Sequence, residues 1–230
     1  MTTSGSYSYA PTLGELVIYA FNCAGIRATS LLQEHMVSAR TAANLMQANW
    51  ANRGVNLWAV DLITVPLVQG QATYNVDPST VVMLDAYMGI VNGSVETDRI
   101  ILPISRSEYA NYPNKAQQGF PTTYWMDRLI SPTVTLWPVP DGVSATYLKY
   151  YRVRQIQDSN LAGGQSPEIP YRFLEAFADG LAYRLSKIWA PAMAVGLKAV
   201  ADESYNIATA QDIEQAQQYI SPQLSGYYRA

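Results

Sequence analysis

The stretch VVMLDAYMGIV at residues 81–91, followed by Asn92-Gly93-Ser94 and then VETDRIILPI at residues 95–104, decides the reading of this chain. Two runs of β-branched and large apolar residues flank an Asn-Gly pair. Both central positions of a tight hairpin turn require positive φ, which these two residues tolerate, so the pattern predicts two antiparallel strands. The same texture extends outward from residue 57 to residue 154. Runs 57–68 and 72–76 flank Gln69-Gly70-Gln71 and predict a second hairpin, and runs 122–130 and 133–137 flank Ser131-Pro132. A last strand at 145–154 follows Pro140-Asp141-Gly142. Pro66, Pro103 and Pro138 have no N–H to donate to a ladder, so they mark strand ends, bulges or edges. Ser105 with Glu108 has capping-box spacing and predicts a short helix reaching about residue 111.

On both sides of this region the period changes from two to between three and four. Thr12 and Glu15 form a T-x-x-E capping box and open a helix over 13–24, which Gly25 closes. Ser30 and Gln33 repeat the spacing and predict a helix over 31–53, with Leu32, Met36, Ala39, Ala43, Met46 and Trp50 as its buried stripe. After a polar linker at 157–167, Phe173, Phe177, Leu181, Leu185 and Ile188 mark a third long helix, which ends at Pro191. Residues 192–217 read as a fourth, with Met193, Leu197, Val200, Ile207 and Ile213 apolar, and residues 218–230 as an extended tail that cannot bury itself.

The expected fold is therefore α+β. Residues 11–56 and 166–217 form a discontinuous helical bundle, residues 57–157 an inserted antiparallel β-sandwich or open-barrel module, and residues 218–230 an extended C-terminal docking tail.

Composition narrows the function. Charged residues make up only 14% of the 230, while tyrosine occurs 17 times against 4 phenylalanines, and tyrosine suits surfaces that become buried against a partner. The net charge of −3 and the pI near 5.1 provide no basic footprint for gripping duplex DNA. A conduit for DNA gains from not holding phosphates tightly. The single cysteine, Cys23, excludes an intramolecular disulfide, and it reads as a buried thiol. Residues 1–11 lack a basic residue before the apolar stretch 16–26, so no secretory signal and no membrane association are expected, with production in a cytoplasm.

No catalytic set emerges. His35 is the only histidine and reads as a helix-surface residue, so neither a serine or cysteine nucleophile nor a zinc site has a ligand or base cluster. Glu96 with Asp98, or Asp85, is a carboxylate pair of the kind glycoside hydrolysis uses, but such pairs arise in any chain of this length. Gly163-Gly164 lacks the lysine of a phosphate loop, and Asn92-Gly93-Ser94 is better explained as a turn than as a glycosylation site. Trp50, Trp58, Trp125, Trp137 and Trp189 are dispersed, which weighs against a carbohydrate-binding module. No enzyme and no cofactor or metal are expected.

The run Tyr147-Leu148-Lys149-Tyr150-Tyr151-Arg152-Val153-Arg154 interleaves aromatic and basic side chains. Strand alternation places Tyr147, Lys149 and Tyr151 on one face and Leu148, Tyr150, Arg152 and Arg154 on the other. A stacking platform for single-stranded nucleic acid would gather both types on one face. Here they are split, so the strand is expected to be covered on both sides, and Tyr147, Tyr150, Tyr151 and Arg152 become candidates for an inter-subunit or tail-facing surface.

Several ordered segments carry a family resemblance. Asn49-Trp50, Val65-Pro66-Leu67, Gly70-Gln71-Ala72-Thr73-Tyr74, Pro103-Ile104-Ser105-Arg106-Ser107-Glu108-Tyr109, Gly119-Phe120-Pro121-Thr122, Leu136-Trp137-Pro138-Val139-Pro140-Asp141 and Leu148-Lys149-Tyr150-Tyr151-Arg152 resemble, in order and spacing, the head-to-tail adaptors of short-tailed phages (tail accessory factor or tail tubular protein A). The resemblance spans residues 31–183. It implies a dodecameric ring in the virion neck beneath the portal protein ring, with the β module facing a downstream tail (nozzle) protein. It also implies that double-stranded DNA passes through the lumen without sequence-specific binding, and that a C-terminal segment docks on the portal. Position and composition then single out Tyr219, Ile220, Leu224, Tyr227 and Tyr228 as docking anchors. The competing reading is another neck or tail component, such as a head completion or tail terminator protein.

Overall fold

A computed structural model describes residues 5–54, 57–161, 164–210 and 212. Its helices are α1 (Leu13–Cys23), α2 (Gln33–Asn52), α3 (Arg106–Asn111), α4 (Leu174–Trp189) and α5 (Ala194–Ala210). Its strands are β1 (Val60–Pro66), β2 (Thr73–Asn75), β3 (Thr80–Asn92), β4 (Val95–Pro103), β5 (Gln118–Gly119), β6 (Thr123–Asp127), β7 (Thr133–Trp137), β8 (Val139–Pro140) and β9 (Tyr147–Arg154). Helices from the two ends of the chain pack together, and the strands between them form the β module, as the periodicity predicts.

Two capping boxes form as the spacing requires. Glu15 N–H donates to Thr12 Oγ1 at 3.2 Å while Thr12 N–H donates to Glu15 Oε2 at 2.8 Å. Ser105 and Glu108 make the equivalent pair at the start of α3. The expected box at Ser30 does not form. Residues 28–30 make a single 3₁₀ turn, and α2 begins at Gln33. There the His35 ring replaces the usual carboxylate, with Nδ1 accepting the Leu32 N–H at 3.1 Å.

This start also corrects the helix stripe. Leu32 is 61% exposed, whereas His35 is 8% exposed and lies inside the molecule rather than on its surface. Its ring stacks on Trp189 at 4.1 Å and meets the edge of Phe21. His35 lies four residues before Ala39 and seven before Ala42, so it shares their helix face. The helical core joins Leu13, Val17 and Phe21 of α1, Ala39, Met46 and Trp50 of α2, and Phe177, Leu181 and Leu185 of α4. On α5 the buried positions are Ala201, Ser204 and Ala208, while Val200 and Ile207 face outward, as does Ile188 of α4. Of the larger apolar side chains of α5, Leu197 and Tyr205 pack half-buried against the core, whereas Val200 and Ile207 lie outside that stripe. Small residues let α5 approach α4 closely, and Val200 and Ile207 remain on the surface.

The seven-stranded sheet runs β1-β9-β3-β4-β6-β7-β2. The hairpin forms, but its turn sits one residue later than the pattern predicts: Asn92 ends the strand opposite Val95 without taking positive φ, and Gly93, at φ 65°, and Ser94 occupy the central positions. β6 and β7 also pair as read, with Asp127 opposite Thr133. The hairpin expected across Gln69-Gly70-Gln71 does not form. The turn itself exists, with Gly70 at φ 76° and Gln71 N–H donating to Val68 O. Its flanking strands separate to opposite edges, β1 onto β9 and β2 onto β7. β4 and β6 pair in parallel, with Leu102 opposite Thr123, because α3 carries the chain back between them.

The short link between β1 and β2, at opposite edges, dictates the curl. In a flat sheet, six spacings of about 4.8 Å would hold the edge strands roughly 29 Å apart. The stretch from Pro66 to Thr73 spans at most about 25 Å, so the sheet must bend. It does so as an open half-barrel. Tyr74, Met88, Ile101, Tyr124, Leu136, Leu148 and Tyr150 fill its concave side. Two of the buried phenols find partners: Val68 N–H donates to Tyr74 Oη at 2.9 Å, and Tyr124 Oη donates to Leu84 O at 3.2 Å.

Gly180 of α4 permits the approach of α2, since a Cβ there would lie 2.6 Å from Met46 Sδ. Gly180→Val is expected to lower unfolding free energy by about 1–3 kcal/mol through overpacking. Gly196→Ala, where nothing lies within 4 Å of the new methyl, should raise it by about 0.5 kcal/mol. Urea unfolding of both variants checks this, and a neutral Gly180→Val would contradict the packing account.

Candidate assembly surfaces

β9 is an interior strand, bonded to β1 on one side and β3 on the other. Both its hydrogen-bonding edges are occupied, so it cannot extend into a neighbour's sheet. Alternation splits its side chains as expected. Tyr150 is 1% exposed and Arg152 6%, both enclosed by the chain itself, whereas Tyr151 is 41% exposed and Tyr147 half-buried. Of the four candidates on this strand, only Tyr147 and Tyr151 are available to a partner.

Arg152 supports the structure from within. Its Nε donates to Asp61 Oδ1 at 2.8 Å and its Nη2 to Asp61 Oδ2 at 3.3 Å, a two-pronged grip on β1. Nη1 reaches Thr80 Oγ1 at 3.0 Å and Ser79 Oγ at 3.2 Å at the start of β3. Two residues on, Arg154 holds Glu168 with both terminal nitrogens, with Nη1 at 2.8 Å from Oε2. Glu168 lies just ahead of α4. Its second role is to accept Gln157 N–H at 2.8 Å, and its main-chain carbonyl accepts Trp58 Nε1–H at 3.1 Å. The Arg154 guanidinium holds the Glu168 carboxyl below its ordinary range; burial opposes this and the Gln157 N–H assists it. Asn44 of α2 completes the joint by exchanging two hydrogen bonds with the main chain of Ser159.

The convex face of the sheet is apolar at one end. Leu62 lies opposite Tyr151, and Tyr87 lies opposite Ile100. Leu62, Ile100, Leu102 and Tyr151 are exposed, and Tyr87 meets Tyr151 edge-on at 6.4 Å. Further along, Lys149 is clasped by Glu96 at 2.6 Å and Asp98 at 3.1 Å. Glu96 and Asp98, the carboxylates considered for hydrolysis, therefore neutralise a lysine. All three basic residues of β9 are paired, and none is free for a phosphate. Sequence reading missed the apolar patch because its members come from four strands, and only the register brings them together.

Trp125 and Trp137 do converge, but Trp125 stacks on Tyr109 and Trp137 on Tyr112 at 4.0 Å, so α3 covers them. No group of three His, Cys, Asp or Glu side chains among the described residues is placed to hold a metal ion, and no described helix is long and apolar enough to cross a membrane. Tyr219, Ile220, Leu224, Tyr227 and Tyr228 lie outside the described residues.

The family model for the SU10 adaptor protein matches the chain over residues 14–225. The chain belongs to the SU10 adaptor family. No curated protein matches it. This adaptor is a structural, non-enzymatic component of the bacteriophage virion, a head-to-tail connector located in the neck and tail. The matched span encloses both helical segments and the whole sheet, so the Arg152 and Arg154 network lies within the family's own fold.

Because the folded Glu168 carboxyl titrates below the ordinary value of 4.5, its ion pair contributes stability that is complete above that value. The contribution is lost as pH falls through the depressed folded value. Glu168→Gln should therefore be less stable than wild type at pH 7, with the difference shrinking steadily below pH 4.5. Thermal melts of both proteins from pH 7 to pH 3 test this, and a gap independent of pH would rule the pair out as its source.

Proposed function

We propose that this adaptor acts as one subunit of a twelve-membered ring seated beneath the portal, through whose lumen double-stranded DNA leaves the head. The family match over residues 14–225 carries the reading, and the surface chemistry supports the details. A ring needs two complementary faces on each copy, and the convex patch of Leu62, Tyr87, Ile100, Leu102 and Tyr151 has the aromatic and aliphatic character of an interface core. It serves either the neighbouring copy or the downstream tail (nozzle) protein. The paired state of Lys149, Arg152 and Arg154 favours passage of DNA without a grip. Residues 11–56 with 166–217 and residues 57–157 act as two structural units, each with its own core. The tail at 218–230 docks on the portal through Tyr219, Ile220, Leu224, Tyr227 and Tyr228.

Deleting residues 218–230 should leave the melting temperature unchanged but weaken binding to isolated portal rings by at least about a hundredfold, since a few buried aromatic anchors dominate such interfaces. Undiminished binding would overturn the docking role. Ile100→Asp, a surface change expected to alter stability by no more than about 0.5 kcal/mol, should abolish ring formation or nozzle attachment in native mass spectrometry. Assembly of both at wild-type levels would remove the convex patch from the contact.

A further inference from the structure

A groove of about 810 Å³ runs between α1, α4 and α5. Leu16, Ala178 and Ala208 floor it, and Tyr9, Tyr19, Tyr171 and Ile207 stand exposed along its walls. Its polar groups are unbalanced. Glu15, Glu175 and Asp179 face it together with a single cation, Arg172. Glu15 is engaged in the Thr12 capping box, and Arg172 is bound to Asp212 at 2.5 Å. No lysine or arginine among the described residues pairs with Glu175 or Asp179. Burial, together with Glu175 four residues earlier, pushes the Asp179 carboxyl up, although Ser204 hydrogen-bonds to it and acts the other way. The groove is therefore an apolar trough in which two carboxylates, Glu175 and Asp179, face no paired cation among the described residues.

The Arg172–Asp212 pair also fixes where the chain leaves the bundle. Asp212 is drawn against a groove-lining residue with its side chain 2% exposed, and one of its oxygens is buried without a donor. Asp212 therefore stands at the groove's rim, and residues 213–230 follow it in sequence. Eighteen residues reach about 60 Å when extended, much further than the groove requires. Their composition complements it, because Tyr227-Tyr228-Arg229 offers two aromatic rings, two phenolic donors and a guanidinium. The volume suits a compact segment rather than a whole helix, since sites of roughly 300–1,000 Å³ enclose small ligands.

We infer that the free protomer holds its own residues 227–229 in this groove, with Tyr227 and Tyr228 on the apolar floor and Arg229 between Glu175 and Asp179. Tethering sets the local concentration at the millimolar level, so even a weak fit is occupied. The inference rests on the portal-docking reading only in assigning the tail a second destination. On meeting the portal the tail exchanges one apolar surface for another, and until then its tyrosines are withheld from other protomers.

Disulfide trapping in the full chain tests this. In a Cys23→Ser background, Ile207→Cys with Tyr228→Cys should cross-link within one molecule at least about tenfold faster than Val195→Cys with Tyr228→Cys, at a rate independent of protein concentration. Val195 is exposed on the same helix and does not line the groove. Equal rates for the two pairs, or cross-links that form only between molecules, would overturn the inference. Hydrogen exchange of the unmodified full chain provides a second readout. Amides at 227–229 should be protected, and Glu175→Gln with Asp179→Asn should remove the protection. Exchange as fast as in an unstructured peptide would overturn it equally. Neither experiment contains portal rings, so failure here leaves the docking role to the deletion experiment.

Discussion

The guanidinium of Arg152 is enclosed by the sheet, and a buried charge is tolerable only where its donors are satisfied. Asp61, Ser79 and Thr80 satisfy them, which pins the first residues of β1 and β3 to the last residues of β9. Arg154, two residues along, extends the same arrangement out of the sheet to Glu168 and so to the start of α4. One strand end thereby sets the position of the sheet against the bundle. The groups that satisfy the two arginines come from segments separated by many tens of residues, so the joint can form only when both structural halves are in place.

From this joint the remaining architecture follows. β1 and β9 are the two crossings between helices and sheet, and they lie side by side with their bundle-proximal ends paired, Val60 opposite Val153. The short link between β1 and β2 then forces the sheet to curl, and the curl creates an enclosed concave core and a convex exterior. Charge placement complements this division. The basic residues of β9 are neutralised within the chain, and one end of the convex face is apolar and aromatic.

Local signals in the sequence were informative wherever one segment decides its own conformation. The capping boxes at Thr12 and Ser105, the existence of the hairpin that turns at Gly93 and the alternation of β9 all depend on neighbours in sequence, and all are found in the structure. What depends on distant partners was not legible. Gln69-Gly70-Gln71 turns the chain, but nothing local reveals that β1 and β2 separate to opposite edges. His35 looks like a surface residue until Trp189 is brought to its ring. Tyr150 and Arg152 were correctly assigned to one face, yet which face is inside is settled by Leu136, Leu148 and Asp61. The convex patch was invisible because each member looks ordinary in its own strand.

The side-by-side crossing of β1 and β9 has a mechanical consequence. Both strands enter the sheet from the same end, so tension between the helices and the far side of the sheet runs along the strand axes. The ladder between β9 and β3 is then loaded in shear, and its bonds must yield together rather than one at a time. A head-to-tail connector gains resistance to tearing from that geometry, with no added covalent staple.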